Sequence, residues 1–160
     1  MPQKTINELD RIDRHILQTL QEDGRISYAD LARRVGLTTT PCIERVKRLE
    51  RANYIQGYCA IVNPDYLDAG LIIFVQIKLD RSSKYSFDEF RRAVVKLSEI
   101  QECYLVSGNF DFLIKARVAN MNAYRQFLGD TLLSVPGVYD VNSIVVMEAA
   151  KETLKIDVPL

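Results

Sequence analysis

The spacing of apolar residues changes period near residue 63, and this change constrains the fold more than any other feature of the chain. Before it, up to residue 53, apolar residues recur every three or four positions, the interval that lines one side of a helix. Beyond it, runs in which every second residue is apolar take turns with further helical runs. A helical repeat does not settle as a strand, nor a strand repeat as a helix. The sequence therefore predicts a small helical unit followed by a mixed unit, and 160 residues are enough to give each a core.

In the helical part, Asp10 is a suitable N-cap for a first helix on which Ile12, Ile16, Leu17 and Leu20 share a face, with Gly24 as its stop. Ser27 caps a second, shorter helix carrying Leu31, Ala32 and Val35, and Gly36 permits a tight turn. Thr38 caps the third. At about 100° per residue, Cys42, Val46 and Leu49 fall on one side of it and Thr40, Glu44, Lys47, Arg48 and Arg51 on the other. Pro41 sits in the first turn, where its missing amide hydrogen costs little. Three short helices with a tight turn between the last two make a helix-turn-helix, whose last helix enters the DNA major groove by its N-terminal end. The β-rich run over residues 54–63 then reads as a strand leaving the unit, giving it a wing or hinge.

From there the pattern predicts strand 71–79, helix 87–99, strands 102–107 and 112–118, helix 121–135 and strand 138–148. The order is βαββαβ, the ferredoxin-like arrangement, so the expected class is α+β: an N-terminal (winged) helix-turn-helix domain at 1–53, a strand-containing linker at 54–66 and a ferredoxin-like domain at 67–160. Both helices of such a unit cover one face of its sheet. Ile72, Phe74 and Val106 are too apolar to leave the other face wet, and a second copy of the chain is the simplest cover.

The formal net charge is zero, but between residues 25 and 51 Lys and Arg exceed Asp and Glu by four. A local basic footprint suits nucleic acid, although a solvated helix face would show the same pattern. Thr38, Thr39, Thr40, Glu44, Arg45 and Arg48 lie toward the front of the third helix. Of these, Arg45 and Arg48 are suited to guanine edges and Glu44 to cytosine. Arg25, Arg33, Arg34, Lys47 and Arg51 are better placed for phosphates. Glu44 and Arg48, four apart, are equally suited to pairing with one another.

An enzyme is disfavoured. The only histidine, His15, has no nucleophile, paired carboxylates or metal-ligand cluster beside it, so no catalytic or metal site is expected. Cys42, Cys59 and Cys103 are isolated, as in reduced cytoplasmic proteins. The segment MPQKTINELD lacks a signal-peptide core and LIIFV is too short to cross a bilayer, so a cytoplasmic protein with no membrane contact is expected.

The words LDRIDRHIL, LQEDGRIS, GLTTTPCIERVKRLE, IQGY, IQECYLVSGNFDFLIK and LLSVPGV span nearly the whole chain in order. Through them it resembles the Lrp/AsnC, or feast/famine, family of bacterial transcription regulators. The resemblance implies a sequence-specific DNA-binding regulator of amino-acid metabolism, free of cofactors and modulated by an amino acid, with leucine favoured. It also implies dimers that associate through their sheets and assemble further to octamers, with effectors bound between dimers, on the bacterial nucleoid. Two-fold dimers predict inverted-repeat operators on double-stranded DNA. The competing reading is an architectural DNA-binding protein that needs no effector.

The family's effector motif is matched by Gly108, Asn109, Phe110 and Asp111. In this reading Asp111 meets the effector ammonium, turn amides meet its carboxylate, and Leu105, Met121, Val145 and Val146 supply apolar walls from the same or neighbouring subunits. Taken alone, Gly108 and Asp111 equally suit a tight β-turn, and Met121 a place in the core.

Overall fold

The computed structural model describes residues 9–80 and 87–160, so the leader reading of residues 1–8 lies outside the described residues. Two compact units result: one runs to Ile61 and takes in Glu152–Leu160, and the other is Val62–Lys151.

In the helical unit, α1 spans Arg11–Glu22, α2 Tyr28–Val35 and α3 Thr39–Arg51. The start of α1 is a capping box: the Asp13 N–H donates to the Asp10 carboxylate at 2.8 Å, and the Asp10 N–H donates back to Asp13 at 3.3 Å. Asp23, rather than Gly24, caps its end, donating its N–H to the Thr19 carbonyl at 2.9 Å. Ser27 caps α2 by accepting from the Asp30 N–H at 3.1 Å, and Gly36 ends it at φ +72°, the left-handed region expected of it. Thr38 has the extended backbone of an N-cap, but its hydroxyl makes no capping bond. Ile16, Leu31, Ala32, Val35, Cys42, Val46 and Leu49 close the core, so the inner face of α3 lies where its periodicity put it.

Two features depart from expectation. Residues 54–63 form no strand, and no wing follows α3 among the described residues: the chain has no neighbour there to complete a ladder. The tail Glu152–Leu160, expected with the C-terminal domain, lies instead along α1. Gln21 clamps the Ile156 peptide, donating to its carbonyl at 2.9 Å and accepting from its N–H at 2.7 Å. Gln18 donates to the Val158 carbonyl at 2.7 Å and Arg14 to that of Pro159 at 3.2 Å. Positions 14, 18 and 21 share one stripe of the helix, which is why an extended segment can follow them.

The second unit opens with a short 3-10 turn, Pro64–Leu67, then β1 (Leu71–Leu79), α4 (Phe87–Val94), β2 (Ile100–Leu105), β3 (Phe112–Val118), α5 (Met121–Gln126) and β4 (Val138–Val145). All pairings are antiparallel and the strand order is β2-β3-β1-β4, as the βαββαβ pattern requires. Burial alternates strictly along β3, and Ile73, Val75, Ile77, Phe112, Ile114 and Ala116 face the helices. α4 stops five residues short of the expected end, where Lys96, Leu97 and Ile100 make tighter three-residue bonds. α5 widens into a π-helical stretch, Phe127–Leu132, sealed by the Leu133 N–H on the Leu128 carbonyl at 2.9 Å.

The other face of the sheet brings Ile72, Phe74, Leu113 and Ile144 together through the pairings of β1 with β3 and β4. Polar bridges frame them: Asn142 donates to Gln76 at 3.1 Å, and Lys78 meets Asp140 at 3.7 Å. Val106 is not among them; it lies past β2, donating its N–H to the Asp111 carbonyl at 3.0 Å.

Candidate functional site

The exposed side of α3 begins with Thr38, Thr39 and Thr40 and continues through Glu44, Lys47, Arg48 and Arg51, a surface that Pro41 and the buried Cys42 turn outward. Arg51 folds back on its own helix, its Nε donating to the Lys47 carbonyl at 3.2 Å. Arg25, Arg33 and Arg34 line a polar cavity of about 520 Å³ with Asp23, Ser27 and Asp30 at the front of α2. Arg33 pairs with Asp30. The Ser27 hydroxyl, then Arg33, holds the Asp30 carboxyl below its ordinary range.

Arg45 and Arg48 do not lie as expected of base readers. Arg45 meets Asp10 at 2.5 Å and Asp13 at 2.9 Å, and Arg48 pairs with Asp13, whose side chain is 0% exposed. Glu44 is not the partner of Arg48 among the described ion pairs. A buried carboxylate needs paired, hydrogen-bonded cations, and those two guanidiniums are within reach of α1. Burial raises the Asp10 carboxyl, but the Asp13 N–H and Arg45 outweigh it and leave it below its usual range. Asp10 and Asp13 hold the Arg45 guanidinium above its ordinary range. This cluster joins α1 to α3, and local sequence patterns carry no signal of it.

In the second unit, Val106–Asp111 connects β2 to β3. Gly108 sits at φ +147°, open to any side chain by space but strained for one by backbone. Gly108 and Asn109 are exposed and Phe110 half-buried. Asp111 is 9% exposed and turned inward: its Oδ2 accepts the Leu79 N–H at 2.9 Å, at the register shift between Lys78 and Leu79, while its own N–H donates to the Ile77 carbonyl at 2.8 Å. One carboxylate oxygen of Asp111 thus serves the turn, the role its position in the sequence also suits.

An apolar cavity of about 380 Å³ lies beside this connection, lined by Arg91, Val94, Val95, Cys103, Tyr104, Leu105 and Phe112. Leu105 and Phe112 immediately flank the loop, and only Leu105 belonged to the expected set. Arg91 stands 6.0 Å from the Phe112 ring centroid. Burial pushes the Cys103 thiol up, so it lines the cavity as a neutral group. Met121, Val145 and Val146 lie at the far end of the sheet. Val145 pairs with Ile73 and Val146 bonds to Ile72, whereas Leu105 pairs with Phe112 beside Ile77. Four residues of β1 separate the two groups, about 13 Å along the strand, so one protomer does not unite them.

A helical unit that offers a recognition helix, joined to a βαββαβ unit with a small apolar cavity beside a tight glycine turn, defines the class: a two-domain, ligand-responsive DNA-binding regulator. Residues 9–50 match the AsnC-type helix-turn-helix domain and residues 72–156 the Lrp/AsnC ligand binding domain. The chain belongs to the Lrp/AsnC family of DNA-binding transcription regulators, a family without enzymatic activity. It is 58% identical to the leucine-responsive regulatory proteins of Salmonella typhimurium and Escherichia coli, over 93% of this chain and 91% of theirs. Among solved structures, a transcriptional regulator of Neisseria meningitidis in complex with L-methionine superposes with a TM-score of 0.89 at 36% identity, covering 93% of this chain and 96% of that one. The feast or famine regulatory protein of Mycobacterium tuberculosis complexed with L-methionine gives 0.85 at 30% identity, covering 94% and 99%. No helix among the described residues is long and apolar enough to cross a membrane.

Proposed function

We propose that this regulator responds to an apolar amino acid, leucine ahead of methionine, bound at the Gly108–Asp111 turn. The observation that carries this is the apolar cavity flanked by Leu105 and Phe112, the two residues that bracket the turn. Its size is that of a small-ligand site, and its walls favour an aliphatic side chain over a charged one. Exposed amides at Gly108 and Asn109 are placed for the effector carboxylate, and Asp111 fixes the turn that presents them. Because Met121, Val145 and Val146 lie at the far end of the sheet, their part in the site would come from a neighbouring protomer. That arrangement makes binding and assembly one equilibrium, the condition under which a ligand can regulate at a distance.

The apolar patch of Ile72, Phe74, Leu113 and Ile144 is the face through which two protomers pair, and dimers assemble further to octamers. Each dimer reads an inverted repeat through Thr38, Thr39, Thr40 and Glu44 of α3, with Arg25, Arg33, Arg34, Lys47 and Arg51 on phosphates. The linker read at 54–66 contains the point, between Ile61 and Val62, where the reading unit gives way to the effector unit, and the protein works in the cytoplasm on the nucleoid.

The test is calorimetry with leucine, methionine, alanine and lysine, paired with light-scattering mass determination. The expected result is heat for leucine and methionine, none for lysine, and a mass distribution that leucine shifts. Heat that Leu105→Asp leaves unchanged would remove the cavity from the site. No heat with any amino acid would leave the architectural reading in its place.

A further inference from the structure

We propose that Asp13 sets the sequence discrimination of α3 by holding Arg45 and Arg48 out of the phosphate-contacting set. The proposal deepens the reading of α3 as the DNA-facing helix and rests on it. Asp13 is on α1, yet its carboxylate is fully buried, with Oδ1 accepting from Arg45 at 2.9 Å and Oδ2 from Arg48. Asp10 places a second carboxylate on Arg45 at 2.5 Å. Two acids and two guanidiniums leave no net charge in the cluster.

A guanidinium that left for a DNA phosphate would exchange one anion for another and strand the first out of water. A solvated lysine leaves nothing behind when it makes the same contact. Without the acids, α3 would present Arg45, Lys47, Arg48 and Arg51 within seven residues, a surface that grips any duplex through its backbone. Neutralising two of the four lowers sequence-independent binding and leaves the threonines and Glu44 at the front of the helix untouched. Specificity is the difference between the two affinities, so it rises when the unspecific one falls. Asp13 is here a positioning residue, acting through two arginines.

The test measures binding of the full chain to a fluorescent random-sequence duplex, and to a duplex enriched for tight binding from a random library, across a salt series. Each phosphate neutralised contributes about 0.9 to the slope of log affinity on log salt. Asp13→Asn is expected to steepen the slope by about 0.9 to 1.8 for each protomer engaged. At 0.1 M salt it should tighten random-duplex binding about eightfold per released cation, that slope taken over one decade from 1 M, and the enriched-to-random ratio should fall. Arg48→Gln leaves Asp13 paired with Arg45 and keeps the test open if Asp13→Asn does not fold; its slope should equal that of the unaltered protein. Lys47→Gln should be shallower by about 0.9. A slope made shallower by Arg48→Gln, or left unchanged by a folded Asp13→Asn, overturns the proposal while the reading of α3 stands. If Lys47→Gln, Arg48→Gln and Thr40→Ala all leave binding unchanged, the reading of α3 itself falls.

Discussion

Replacing Asp111 by alanine should destabilise the βαββαβ unit in the complete absence of any amino acid. The carboxylate is 9% exposed and accepts the Leu79 N–H at 2.9 Å where the register of β1 and β4 shifts. On the other side of β1, pairing with β3 ends at Ile77 and Phe112, so no β3 residue is aligned with Leu79 and the Asp111 side chain takes the place of a ladder acceptor. Alanine removes a hydrogen bond to a charged group, worth about 1.5–3 kcal/mol, and leaves a donor with little access to water. We expect a loss of about 2–3 kcal/mol. For a unit of this size each kcal/mol moves the midpoint by about 4–8 °C, so the transition should fall by about 10–20 °C. Asp111→Asn keeps an acceptor oxygen and should recover more than half of the loss. Differential scanning calorimetry of the ligand-free protein reads this directly, with urea unfolding as the check that the slope on denaturant is unchanged. A shift under 2 °C for Asp111→Ala would refute the structural role and return the carboxylate to the effector alone.

Two further outcomes test the helical unit. Burial, then the Glu50 carboxylate 3.1 Å away, pushes the Tyr58 hydroxyl up to about 12 from an ordinary value of 10. A folded value above the unfolded one means that the contribution is complete below pH 10 and is lost as the pH rises toward 12; Tyr58→Phe should abolish that part of the alkaline decline in melting temperature. A decline identical in both proteins would show that Tyr58 takes no part. Removing residues 155–160 strips Gln18 and Gln21 of their peptide partners and should cost the helical unit about 1 kcal/mol, since the lost bonds are exposed or half-buried. Hydrogen exchange should then quicken in α1 while the strands of the sheet keep their protection, and unaltered exchange in α1 would count against the clamp.

What was legible in the sequence was whatever a single segment decides for itself. Cys42, Val46 and Leu49 are buried because a helix at that register has one inner face, and β3 alternates because a strand with one covered side must. Residues 54–63 show the limit: β-formers alternate there, but a strand is a property of a pair and no neighbour is present. The end of α4 was hidden because Leu97 still packs on the core after the helix has tightened, so the apolar period outlasts the helix. The helical period sets only the face from which Arg45 and Arg48 leave α3, whereas Asp13, thirty-odd residues earlier, decides where they point. The sequence marks Asp111 as a turn residue but carries no sign that its carboxylate meets the Leu79 N–H, because that partner lies on another strand.

The tail on α1 also fixes an order in time. A chain made from its N-terminus exposes the three helices first, and they can assemble while the sheet is still being made. Ile156, Val158 and Pro159 reach Gln21, Gln18 and Arg14 only after β4 has been completed. Every nascent copy therefore passes through a stage in which its reading unit can be folded but is still unlatched, and residues that follow the whole sheet in the chain close it.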